Sequence, residues 1–240
     1  GVPTLGLLPW LDHHLPDEAV GVPDALAVIN PMQAECAYPF KHLCGAAVAF
    51  KLAHAILAAA AETDEQRSRL KQTLIPSFLK LVAIATIADS VPLEGENRVI
   101  AALGLRELQN PVQPGLRALM QVAQVPTDRP PTATEVAFRI APRINAAGRM
   151  DVASDVVELF LTRDAARAAA LAEKLHRLND ERRAIEQQAL DAIDAQLESL
   201  RGQSELAPAC LVLDGPDWHR GVLGILASRV VERTGRPTLI

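Results

Sequence analysis

Apolar positions fall along this chain in two patterns, short solid blocks and long periodic stretches. Leu5, Leu7 and Leu8 lead into Asp12-His13-His14, which predicts a buried strand over residues 4–8 running into a turn. A second short strand is predicted over residues 26–30, stopped by Asn30-Pro31 because the residue before a proline is pushed out of helical geometry. From Gly45 to Ala61 the sequence is alanine-rich and evenly apolar, the pattern of a buried helix. Thr63-Asp64-Glu65-Gln66 has the form of a capping box. The helix it opens is apolar on nearly all sides, is interrupted at Pro76 and ends at Asp89, so it is expected deep in the core. A further helix starts at Glu96-Asn97-Arg98 and runs through Leu108, with Asn97 and Arg98 read as structural; another covers residues 111–125. Thr132-Ala133-Thr134-Glu135 is a second capping box.

From Asp164 to about Leu200 the pattern changes. Leu171, Leu175, Leu178, Ile185, Ala189, Ile193 and Leu197 recur at threes and fours among charged residues, predicting one long helix with a narrow apolar stripe. Such a helix suits a connector between two lobes, with a coiled-coil dimer helix as the alternative. Beyond it, residues 209–213 read as a strand, Trp218-His219-Arg220-Gly221 as a turn into a helix through Val231, and Arg236–Ile240 as the start of another strand. Strands alternating with helices define an α/β class.

Composition narrows the picture. A chain of 240 residues, 49% hydrophobic, is long enough to bury a full core in one or two domains. No apolar run is long enough to span a membrane, and no signal peptide opens the chain. Cys36, Cys44 and Cys210 form no CxxC pair, which with the missing export signal argues for reduced thiols in a cytoplasmic protein. A formal charge of −5 excludes a protein that coats nucleic acid with its whole surface; a polyanion must meet a local basic patch or metal ions. The chain opens on Gly1 directly into a strand-like block and closes where a strand begins, so it is expected to be an internal piece of a longer protein.

Four stretches carry candidate chemistry. His13 and His14 offer imidazole nitrogens to a divalent metal, and Asp12 can orient one ring through its second nitrogen; alone, the pair reads more readily as loop histidines. Asp89 ends an apolar run, where a carboxylate is costly unless paired or metal-bound, though alone it reads more readily as a turn aspartate facing water. Arg139, Arg143 and Arg149, with Asn145 and Gly148 between the last two, are either a phosphate-binding face or a solvated basic one, and Arg139 and Arg143 are one turn apart. His219 and Arg220 stand before a helix N-terminus, a place suited to phosphate or to plain capping with Trp218 as packing.

These stretches, taken in order with Asn30-Pro31, the run from Tyr38 to Lys51, Ile87–Leu93, Glu96-Asn97-Arg98, Ala141–Met150 and Trp218–Ile225, resemble the DHH phosphoesterase superfamily and, within it, the RecJ single-strand exonucleases. The resemblance covers nearly the whole chain. It implies the helix-rich C-terminal part of a DHH domain over residues 1–162, a connector helix over 163–204 and the start of a second α/β, DHHA1-type domain over 205–240. It further implies a two-metal site of manganese or magnesium, with His13, His14 and Asp89 as ligands and Asp12 holding the histidines. Arg143, Asn145, Arg149 and His219 are implied contacts of single-stranded DNA. The implied activity is 5′-to-3′ hydrolysis of phosphodiesters in recombination and repair, alongside other DNA-repair proteins and away from membranes. The family's Asp-x-Asp motif and second-motif aspartate, and its glycine-serine-arginine loop, do not occur here, so this chain alone is expected to be inactive. Two other readings stay open, a phosphoesterase on short oligonucleotides or cyclic dinucleotides, and a non-catalytic replication or repair scaffold.

Overall fold

β1 (Pro9–Leu11) and β2 (Ala27–Ile29) pair in parallel, with Pro9 opposite Ala27 and Leu11 opposite Ile29. The structure, a computed structural model, describes residues 9–17, 19, 21–149, 153–203 and 209–240. The strand expected over residues 4–8 lies outside the described residues, as does Met150.

Contacts divide the chain into two units, Gly1–Val112 with Gln124–Ala141, and Gln113–Ala123 with Pro142–Ile240. In the first unit α1 (Gly45–Ala59) follows the small sheet. Sequence predicts a buried helix here, and this needs correction. Only Ala47 and Val48 are fully buried, and Ile56 in the rear half is exposed. An all-apolar composition shows what a helix can bury, not where its neighbours stand.

Thr63 caps α2 (Asp64–Arg69) through the full capping box with Gln66. A π-helical turn, Leu70–Leu74, then joins α2 without a break to α3 (Ile75–Ala88). The Ile75 amide donates to the Leu70 carbonyl five residues back. The wider turn stands just ahead of Pro76, whose ring would clash with the carbonyl four residues earlier in a regular helix. The same device recurs. After α6 (Ala133–Glu135), the π turn Val136–Ile140 precedes Pro142 in α7 (Ala141–Arg149), with the Ala141 amide on Val136.

The continuous helix Asp64–Ala88 is long and apolar enough, by length and composition, to cross a membrane, contrary to the expectation from apolar runs alone. Its apolar side belongs to a protein core: Leu79, Val82 and Ala83 pack with Leu43, Cys44, Ala47, Val48 and Ile100. Each such side chain contributes roughly 1.5–3 kcal/mol when fully buried. α4 (Gly95–Leu108) crosses α3 so closely that a Cβ on Gly104 would stand 2.4 Å from the Leu79 carbonyl oxygen.

In the second unit, α5 (Pro114–Val122), α8 (Ala153–Leu161) and the front of α9 (Ala165–Gln203) share a core of Leu116, Leu119, Met120, Leu159, Leu171 and Leu175. The rear of α9 carries a separate core. There Ala189, Leu190 and Ile193 meet Leu211 and Leu213 around β3 (Leu211–Val212), and Val222, Leu226 and Val230 of α10 (Leu223–Thr234). β4 (Thr238–Leu239) pairs in parallel with β3. The architecture is α/β, rich in helix with small parallel sheets.

Candidate metal centre

The peptide that leaves β1 turns at once, and Asp12 shapes the turn. Its Oδ1 accepts from the backbone amides of His13 (2.7 Å) and His14 (3.2 Å) and from His14 Nδ1 (2.8 Å). The His14 ring beside it, with those two amides, holds the Asp12 carboxyl below the usual aspartate range against the opposing effect of burial. With Nδ1 committed to a carboxylate, His14 turns Nε2 outward, and its side chain is 75% exposed. This is the orientation in which a carboxylate prepares an imidazole to coordinate.

The His13 ring lies against that of His14, with centroids 4.1 Å apart. Its Nδ1 lies 3.7 Å from Asp89 Oδ2, so side chains 76 positions apart in sequence meet at one point. Asp89 ends α3, where its amide donates to the Ala85 carbonyl, and Ser90 after it adopts a left-handed backbone with φ of 58°. The His13 ring also rests on the start of α1, where a Cβ on Gly45 would stand 3.3 Å from His13 Cδ2. Buried Asn30 fixes the outgoing side of the turn by donating from Nδ2 to the His14 carbonyl (2.8 Å) and accepting from the Met32 amide (2.8 Å).

Imidazole nitrogens and a carboxylate suit manganese, and the outward Nε2 of His14 beside the His13–Asp89 pair fits a divalent-metal site in chemistry. Among the described residues no three His, Cys, Asp or Glu side chains stand together as a complete metal site.

The other residues singled out in the sequence lie elsewhere. Arg139 donates to the Gln124 carbonyl (2.7 Å), just after α5, and half-buried Arg143 to the carbonyl of Val122 (3.3 Å), the last residue of that helix. Asn145 is exposed on α7. Exposed Arg149 donates to the Gly221 carbonyl (2.9 Å), and His219 Nδ1 accepts from the Gly221 amide (3.1 Å), which brings these two sequence-predicted residues to one loop. Trp218 lies over Gly215 and packs on the rear core of α9. Nearby, buried Glu186 pairs with Arg182 (2.8 Å) and Arg229 (2.7 Å).

The sequence did not show that residues of two of its ordered stretches assemble into one group in the first unit. Tyr38 donates to Glu96 (2.6 Å), Lys51 pairs with Glu96, and Asn97 donates to the carbonyls of His42 (2.6 Å) and Pro92 (3.0 Å). Burial alone would lower the Lys51 pKa, but its bonds to Glu96 and Tyr38 prevail and raise it; Glu96 is correspondingly lowered. Each of these residues falls in a stretch noted for its order in the chain, which was the available signal.

No family model matches the chain. Among curated proteins it is 40% identical to the single-stranded-DNA-specific exonuclease RecJ of Dickeya dadantii over 231 residues, covering 95% of this chain and 39% of that protein. It is 37% identical to RecJ of Escherichia coli, again over 95% of this chain and 39% of the relative. Among solved structures, RecJ of Thermus thermophilus in complex with Mn2+ superposes with a TM-score of 0.74 at 36% identity, covering 97% of this chain and 32% of that one. An exonuclease RecJ bound to manganese gives a TM-score of 0.74 at 37% identity, over 96% of this chain and 53% of the other. The fold is that of these RecJ structures. The chain is similar to these RecJ proteins over nearly its whole length, and it spans about two fifths of the Dickeya and Escherichia relatives.

Proposed function

We propose that the protein is a metal-dependent 5′-to-3′ exonuclease of single-stranded DNA, working in the cytoplasm in recombination and repair. The observation that carries the reading is the meeting of His13 with Asp89 beside the oriented His14, in a chain that is RecJ-like over 95% of its length. His13, His14 and Asp89 would hold manganese or magnesium, the metals named with the RecJ structures it resembles. When bound, such ions supply Lewis-acid stabilisation and an activated water for phosphodiester hydrolysis. Asp12 orients the His14 imidazole and holds the backbone of both histidines, and Asn30 holds the turn from behind. The first amides of α1, beside His13, have no partner within the helix and favour a phosphate oxygen there.

Exposed Asn145 and Arg149, with His219, are proposed to touch the strand, whereas Arg143 has part of its guanidinium committed to the Val122 carbonyl. Two imidazoles and one carboxylate are fewer donors than two divalent ions require, so residues 1–240 alone are proposed to be inactive.

The test uses the full-length protein containing this sequence, manganese and 5′-labelled single-stranded DNA. Alanine at His13, His14 or Asp89 is expected to slow mononucleotide release by about a hundredfold or more, because a lost ligand removes several kcal/mol of charge stabilisation. Near-parental turnover by Asp89→Ala would overturn the assignment.

A further inference from the structure

His13 comes from the loop after β1 and Asp89 from the end of α3, and among the described residues no backbone hydrogen bond joins the two segments. Something else must fix the 3.7 Å between them. The described contacts run through the start of α1. His13 rests on Gly45, so its place is set by the segment that leads into that helix. The turn after Asp89 is set by Asn97, whose single amide group donates to two carbonyls 50 residues apart. One is His42, two residues before the N-cap of α1, and the other is Pro92, three residues after Asp89. Asn97 is fully buried. Its neighbour Glu96 holds the same incoming segment a second time, through the Tyr38 hydroxyl, and grips α1 through Lys51. A third hold comes from Phe40, whose ring lies where a Cβ on Gly95 would be, only 2.7 Å from the nearest ring carbon.

We propose that the first turn of α4, Glu96 and above all Asn97, is a positioning clamp for the metal centre: it joins the segment supporting His13 to the turn carrying Asp89 and so sets the separation of the two ligands. Neither residue touches the reacting groups. Asn97 acts through two backbone carbonyls, and only an amide or a similar double donor can serve both, since each partner is an acceptor. Its removal leaves two carbonyls unpaired and frees the Ser90–Pro92 turn, whose left-handed Ser90 is held by its surroundings rather than by its own preference. Groups that orient metal ligands from behind commonly govern affinity by about 10–100-fold.

The inference rests on the proposed metal role of His13 and Asp89, and the experiment separates the two. Mn2+ affinity is measured without substrate, by the electron-spin-resonance signal of free Mn2+, on the full-length protein and on Asn97→Ala, Glu96→Gln, Asp89→Ala and Leu108→Ala. Leu108 is fully buried at the far end of α4 and serves as a control of matched structural cost. Asn97→Ala is expected to weaken Mn2+ binding about tenfold or more. Glu96→Gln should weaken it less, and Leu108→Ala should leave it unchanged despite a lowered melting temperature. Equal Mn2+ affinity in the parent, Asn97→Ala and Glu96→Gln, with loss in Asp89→Ala, overturns the clamp and leaves the metal assignment standing. Unchanged affinity in Asp89→Ala overturns the metal assignment and the clamp together. If Asn97→Ala does not fold, Glu96→Gln, at a partly exposed position, carries the comparison, and parental affinity there overturns the clamp.

Discussion

At the position of Gly45, the missing methyl group that would make a better helix former leaves room for the proposed ligand His13. The glycine opens α1, where alanine would be favoured by roughly 1 kcal/mol on intrinsic helix preference. A Cβ there would stand 3.3 Å from His13 Cδ2, close enough to make the ring give way by a few tenths of an ångström. Gly45→Ala is therefore expected to leave the melting temperature unchanged or raised while lowering the rate of DNA hydrolysis several-fold. Thermal melts and single-strand digestion on the same preparation check it, and a variant at parental rate would show that His13 tolerates displacement. The residues at this scale divide by how their roles are written in sequence. Asp12, His13, His14 and Asp89 were legible as candidates because they stand in an ordered series of motifs. Asn30 and Asn97 stand in the same series, but the backbone groups that their amides would join were not legible, because such a bridge leaves no period and no spacing to read.

Among the elements, the two capping boxes were the most legible features, since each is complete within four residues. The second is reinforced from outside. Arg129 forms a two-pronged bond with Glu135 (2.8 and 2.9 Å), while Glu135 also accepts from the Thr132 amide (2.9 Å). Arg129, followed by the Thr132 amide, holds the Glu135 carboxyl down to about 2. A carboxylate depressed in the folded state adds stability that is present above the ordinary glutamate range and is lost as pH falls through that range towards about 2. Glu135→Gln should accordingly lower the melting temperature near neutrality, and the gap from the parent should shrink steadily below about pH 4. A gap independent of pH would mean that the ion pair adds nothing beyond the amide-compatible cap. Less legible were the π turns, visible in sequence only as an interruption at Pro76, and α8, whose apolar positions Val156, Leu159 and Phe160 fill too short a stretch between Asp151 and Asp164 to announce a helix.

For the whole molecule, local pattern located the long helix but not the company it keeps. Residues 113–123 join the second unit although chain on both sides of them belongs to the first, a nonlocal arrangement that composition cannot signal. The sequence boundaries at 162 and 204 and the division by contacts describe different things, the first an order of motifs and the second a set of packed neighbours. α9 shows the difference most clearly. Its 39 residues rise about 58 Å, and its fully buried positions change character along the way. Apolar Ala168–Leu175 give way to Asn179 and Glu186, and these to Ala189, Leu190 and Ile193. A rod anchored tightly at two places by oil and held between them by charge need not open as one piece. Amide hydrogen exchange should resolve two slow groups of peptide protons, around residues 168–175 and 189–193, each with its own opening free energy. The protons of residues 178–186 between them should exchange faster than either group. The helix would then behave in solution as two short, well-buried helices sharing one backbone, with its weakest stretch beside the Arg182–Glu186–Arg229 cluster.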